Sequence, residues 1–229
     1  MPHALVTGAN RGLGLEFTRQ LLARGERVVA TCRQPGRAMA LLRLAAEHPG
    51  HLVVLPLALP EPRSIAELVR ETAALDIRIG LLVNNAGMLV EGERFGTIEP
   101  KALRESFASN AEGAFLLTQA LAARLAEGAK VVNLSSTLGS IAATDSLYSP
   151  SYAISKAALN MASRLLAIAL AGRAIVVAVS PGWVKTDMGG AGAPQDAADA
   201  VRSVLRVVDA LDASRSGAFL DEQGHPLPW

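Results

Sequence analysis

The sequence predicts an α/β fold: one domain over residues 1–229, a doubly wound parallel sheet of seven strands with helices on both faces. Three observations predict it. Short apolar runs alternate with helical patterns along the whole chain, with no linker and no repeat between them. Half of the residues are hydrophobic but only 4% are aromatic, so the core has to be aliphatic, as suits strands covered on two sides. The first run also feeds straight into a glycine-rich turn that opens a helix, the start of a βαβ unit.

The strand-like runs are Ala4–Val6, Val28–Thr31, Val53–Pro56, Leu81–Val83, Val131–Leu134, Ile175–Val179 and Ala218–Leu220. Between them lie helical stretches at about Gly14–Arg24, Arg37–Glu47, Arg63–Leu75, Lys101–Ala126, Tyr152–Ala171 and Pro194–Leu211. Leu15, Phe17, Leu21 and Leu22 mark the buried side of the first helix, and Gly25 stops it. Val201, Val204, Leu205, Val208 and Leu211 mark the buried side of the last. Right-handed crossovers then place helices on both faces of the sheet.

Composition excludes several classes. A net charge of +1 offers no general attraction to nucleic acid or to an anionic membrane. No apolar run is long enough to span a bilayer, and nothing at the start reads as a signal peptide. The single cysteine, Cys32, excludes an internal disulfide and fits a reducing compartment, so a cytoplasmic setting is expected. His48 and His51 flank Pro49-Gly50 without a third ligand, which reads as a surface loop; no metal site is expected.

Chemistry enters with Thr7-Gly8-Ala9-Asn10-Arg11-Gly12-Leu13-Gly14. Its glycines permit backbone angles closed to other residues and clear side chains from a ligand's path. At a helix N-terminus the free N–H groups attract phosphate, so the turn reads as a dinucleotide pyrophosphate site. The second strand ends Thr31-Cys32-Arg33, beside the place for the adenosine ribose. A carboxylate there would bond the 2′-hydroxyl, but this chain has Arg33, with Arg11 in the turn; two guanidiniums suit a 2′-phosphate, and the expected cofactor is NADP(H). Asn84-Asn85-Ala86-Gly87 ends the fourth strand, where small and amide residues let a cofactor pack against backbone. Asn110 stands inside a helix near its apolar side, so its amide needs a buried partner or a role. Tyr152 and Lys156 are one helical turn apart on one face. An ammonium and a cationic nicotinamide beside the phenol favour the phenolate, bringing a group of pKa near 10 toward neutral pH. Ser136 can donate to the same substrate oxygen.

With these residues in place, the chain resembles the short-chain dehydrogenase/reductases over essentially its whole length. The resemblance rests on the glycine turn, Asn84-Asn85-Ala86-Gly87, Asn110, Ser136, Tyr152-Ala153-Ile154-Ser155-Lys156 and Pro181-Gly182, in that order. Within the family the chain is most similar to the C-factor-like carbonyl reductases, through Arg11–Glu16, Ser155–Asn160, Pro181–Gly190 and Gly217–Trp229. The resemblance implies a Rossmann-like fold and roles for single residues. Tyr152 would be the general acid in reduction and the base in oxidation. Lys156 would bond the nicotinamide ribose and lower the phenol's pKa, Ser136 would orient the carbonyl, and Asn110 would hold a water of a proton relay. Cofactor contacts would come from Gly8, Asn10, Arg11, Gly12, Leu13, Gly14, Arg33, Asn84, Ala86, Gly87, Tyr152, Lys156, Pro181, Gly182, Val184 and Thr186.

Two departures from the family pattern stand out. Ala58 occupies the place of an aspartate that usually meets adenine, and the interval from Ser136 to Tyr152 is a few residues longer than usual. Ser136 is preferred to Ser135 and Ser140 because it precedes the small-residue run at Gly139. Trp183, Met188 and the glycine-rich run after them suggest an apolar wall and a flexible substrate lid over about residues 188–200. The function expected is NADPH-dependent reduction of an aldehyde, ketone or quinone by a homodimer or homotetramer, with no nucleic-acid or membrane partner. The alternative is a nucleotide-sensing regulatory protein of the same fold. It has no use for an intact set of Asn110, Ser136, Tyr152 and Lys156.

Overall fold

Strand pairing sets the frame that positions everything else. The computed structural model describes residues Met1 to Trp229. Seven strands form one sheet: β1 (His3–Thr7), β2 (Val28–Cys32), β3 (Leu52–Pro56), β4 (Ile79–Asn84), β5 (Leu125–Leu134), β6 (Ala174–Val179) and β9 (Phe219–Leu220). Their order across the sheet is β3-β2-β1-β4-β5-β6-β9, and every neighbouring pair is parallel. The expected doubly wound sheet is therefore present, with its reversal of direction between β1 and β4. A crevice forms at such a reversal, outside the carboxyl ends of the strands.

The pleat sends alternate residues to opposite faces. Ala4 and Val6 of β1 join Phe17 and Leu21 of helix α1 (Gly12–Ala23) and Val201, Val204 and Leu205 of α7 (Ala197–Ala210). Leu5 joins the other core, with Ile65 and Leu68 of α3 (Pro62–Ala74), Leu117 and Leu121 of α5 (Gly113–Leu121) and Leu166 of α6 (Pro150–Ala169). The short α2 (Met39–Glu47) adds Leu41 to the first core. Cys32 is buried there as well, and burial pushes its thiol pKa up, so it packs and does not react.

Two expectations about elements are corrected. The helix expected over Lys101–Ala126 is α4 (Pro100–Phe107), a π turn at Ala108–Glu112 and then α5, which stops at Leu121; strand β5 already begins at Leu125. A π turn adds one residue to a helical turn, too small a change in spacing to show in the apolar pattern. The last helix begins at Ala197, not Pro194, because Gln195–Asp196 (β8) pairs with Val184–Lys185 (β7) in a separate two-stranded sheet. The segment expected as a lid from 188 to 200 is thus irregular only up to residue 194.

Candidate active site

Residues at the carboxyl ends of β1, β4 and β5 meet at the crevice. The turn after β1 runs directly into α1, whose N-cap residue, Arg11, makes no side-chain cap, so the first N–H groups of the helix are left to another acceptor. Gly12 has φ +53°, and a Cβ there would point at the Thr186 methyl, 3.6 Å away. Gly14 packs so closely that a Cβ would overlap the Gly8 carbonyl and the Asn85 amide. A cradle of bare backbone and unbonded N–H groups, roofed by Thr186, fits a dinucleotide phosphate.

Asn84 and Asn85 divide the work. The Asn84 side chain is buried, with Nδ2 donating to Thr118 Oγ1 at 3.0 Å and to Asn133 Oδ1 at 2.7 Å, while its Oδ1 has no partner. Asn85 is the residue that reaches the turn: its Nδ2 donates to the Thr7 carbonyl at 2.7 Å. Thr7 Oγ1 in turn accepts from the N–H groups of Asn85 and Ala86, each at 3.0 Å. Residues 84 and 85 are adjacent, so the pleat gives them opposite directions, and the repeated asparagine hid which one reaches the glycine turn.

Arg33 is exposed at the end of β2 and joins no ion pair. Arg11 is exposed too, but its Nη1 pairs with Asp187 Oδ2 at 2.9 Å, joining the glycine turn to the strap after β7. Nothing in the sequence pattern links residues 11 and 187. At Ala58 the backbone N–H donates to Ser64 Oγ at 2.9 Å, so it is not free to replace the missing aspartate. The strap itself is laced: Trp183 Nε1 donates to the Gly189 carbonyl at 2.8 Å, and Gly189 N–H donates to Thr186 Oγ1 at 3.1 Å.

The second half of the site is built on α6. Lys156 and Tyr152 share its inner face, with Nζ 5.4 Å from the centre of the phenol ring. Of the three serines that follow β5, Ser136 is the one that pulls the phenol's pKa down, and its Oγ also accepts from the Leu138 N–H at 3.2 Å. Ser135 Oγ instead donates to Asn160 at 2.6 Å, and Ser140 Oγ accepts from the Ala143 N–H at 3.1 Å. Asn110 sits in the π turn with both amide hydrogens engaged, one on the Met88 carbonyl and one on Ser155 Oγ, each at 2.8 Å. Its Oδ1 accepts from the Met88 N–H at 2.7 Å. A water held by Asn110 would therefore have to donate to one of its oxygens, because the side chain has no hydrogen left to give. Ser155, between Tyr152 and Lys156, is the partner that makes a buried amide tolerable there, and its motif gave no sign of that bond.

Burial governs the electrostatics. It pushes the Tyr152 phenol up to about 12, with Ser136 pulling the other way, and it holds the Lys156 ammonium down at about 8. In the chain by itself desolvation is the larger effect on the phenol, outweighing the Ser136 hydrogen bond. Lys156 Nζ donates to the Leu134 carbonyl at 2.7 Å, which leaves two of its hydrogens for other acceptors. No group of three His, Cys, Asp or Glu side chains gathers to hold a metal ion.

Comparison with known proteins shows the family and the fold. The family model for the short chain dehydrogenases matches residues 2–197. The C-signal protein of Myxococcus xanthus is 40% identical over 154 residues, which are 66% of this chain and 93% of that one. Among solved structures, the carbonyl reductase Sniffer of D. melanogaster superposes with a TM-score of 0.95 at 31% identity, covering all of both chains. An NADPH-bound carbonyl reductase from chicken fatty liver superposes at 0.93 with 36% identity, covering 100% of this chain and 99% of that one.

Proposed function

Because the chain belongs to the short-chain dehydrogenase family, we propose that it is an NADPH-dependent reductase that turns a carbonyl, in an aldehyde, ketone or quinone, into an alcohol. The observation that carries the reading is the convergence of Ser136, just after β5, with Tyr152 and Lys156 of α6, alongside a backbone cradle free of side chains. The cradle from Gly8 to Gly14, with Thr186 above it, would hold the pyrophosphate, and Arg33 and Arg11 would take the 2′-phosphate. The chemistry that a reduced nicotinamide would supply there, when bound, is a hydride for the carbonyl carbon. Tyr152 donates its proton to the carbonyl oxygen while Ser136 donates a hydrogen bond to the same atom. A phenol that burial keeps protonated is ready to act as the acid in this direction. Lys156, charged below about pH 8, holds the ribose and stabilises the phenolate that remains. Asn110 fixes the loop at Met88 against α6.

The names of the solved neighbours support both carbonyl reduction and NADPH. The nucleotide-sensing alternative leaves the alignment of Ser136, Tyr152 and Lys156 without a use. Two copies associate through α6, and the setting is cytoplasmic; no helix is long and apolar enough to cross a membrane. The test is NADPH oxidation with a panel of aldehydes, ketones and quinones, using the wild-type chain and Tyr152→Phe. The variant is expected to bind NADPH normally and to lose about three orders of magnitude in turnover. Full turnover in Tyr152→Phe would remove the proposed acid.

A further inference from the structure

Helix α6 begins without a cap from its own sequence. Ser149, at the N-cap position, is left-handed (φ 43°, ψ 60°) and makes no side-chain cap, and Pro150 follows at the first helical position. The missing acceptor comes from the loop between β4 and α4. Glu93 Oε2 accepts from the Ser151 N–H at 3.0 Å and from the Ser151 hydroxyl at 2.8 Å. Ser151 is buried, and its oxygen also accepts from Ser106 of α4 at 3.3 Å. The second carboxylate oxygen, Oε1, is enclosed and has no partner. A serine or asparagine at the cap would satisfy the same N–H locally. Here an anion 58 residues away in the chain does it, with charge-assisted bonds at the positive end of a helix and at some desolvation cost.

The placement of this cap matters more than its strength. Ser151 and Ser155 are one turn apart, and each lies next in sequence to Tyr152 or Lys156. Ser155 is held by Asn110 at 2.8 Å, and Ser151 is held by Glu93. Two bonds on one side of the helix, a turn apart, fix its rotation about its own axis. That rotation decides where the phenol on the neighbouring side points.

We propose that Glu93 is a positioning residue for carbonyl reduction: by holding the first turn of α6 it sets the phenol of Tyr152 against Ser136. The inference rests on the reading of Tyr152 as the proton donor. Its test uses the full-length chain with NADPH and a carbonyl substrate from the panel, measuring kcat, KM and the NADPH dissociation constant. Glu93→Ala is expected to lower kcat by about tenfold to a hundredfold, the penalty of a small misplacement, with NADPH binding unchanged. Glu93→Gln keeps an acceptor oxygen and is expected to recover most of the loss. In a Tyr152→Phe background Glu93→Ala is expected to cause no further loss, because residues that act through one another are not additive.

A role in fold stability alone would leave kcat per folded molecule unchanged, or would give the same fractional loss in both backgrounds; either result overturns the proposal. Should Glu93→Ala fail to fold, Ser151→Ala removes one of the two bonds. It is expected to lower kcat by about fivefold in the wild type and not in the Tyr152→Phe background. An unchanged kcat in Ser151→Ala overturns the proposal equally. Full turnover in Tyr152→Phe by itself would instead overturn the reading on which the inference rests.

Discussion

Lys156 has no carboxylate beside it; its one protein acceptor is the Leu134 carbonyl, and the fold encloses it. A lysine whose pKa falls from 10.5 to about 8 on folding gives up its proton earlier in the folded state than in the unfolded one. Between those two values the unfolded chain binds more protons, so this group makes stability rise with pH across that window. Below about pH 8 both states are protonated and the burial penalty is constant. Denaturation measured from pH 7.5 to 10 is expected to show the rise, and Lys156→Met to flatten it. Arg33 makes a second prediction at this scale. It stands free at the end of β2, so Arg33→Asp is expected to shift the preference from NADPH toward NADH by about tenfold or more, read from kcat/KM with each cofactor. Both residues could be singled out from the sequence, because a lysine one turn after a tyrosine and a basic residue at that strand end are local signals. Asp187 and Glu93 could not, since each gains its meaning from a residue far along the chain.

At the scale of elements, α6 is seated on the sheet by polar contacts as well as apolar ones. Asn84 Nδ2 donates to Asn133 Oδ1 at 2.7 Å, and Asn133 Nδ2 donates to Ser163 Oγ at 2.8 Å, so β4, β5 and α6 share one buried chain of hydrogen bonds. Asn160 extends the seam by donating to the Gly139 carbonyl at 3.1 Å. Asn133→Ala would strip two partners from enclosed groups and is expected to destabilise the fold by about 2 kcal/mol in chemical denaturation. The strands of this seam were legible because those buried on both faces read as unbroken aliphatic runs. The π turn at Ala108–Glu112 was not, and neither were β7 and β8, whose two residues each carry no periodicity. The glycine turn and the Tyr152–Lys156 pair were legible as a candidate site. The amide that steadies the turn was not, because Asn84 and Asn85 are chemically identical and only the pleat tells them apart.

For the whole molecule, the outer side of α6 is the feature the single chain leaves unexplained. Ile154, Met161, Leu165 and Ile168 each lie more than half exposed, at spacings of seven, four and three residues that form one stripe along the helix. Phe107 is nearly half exposed at the end of α4, against which α6 packs. A two-fold mate covering the stripe is the proposed arrangement. Light scattering is expected to give at least twice the mass of one chain, and the pair Met161→Glu with Leu165→Glu to give a monomer.

The reversal of strand order between β1 and β4 has one more consequence. The residues proposed to grip the dinucleotide by its phosphates, apart from the strap at Thr186, come before the crossing, and those proposed to handle the proton come after it. The two sets share no strand. A designer could therefore retune the electron donor and the reduced substrate separately, editing one stretch of sequence for each, as with two independent dials.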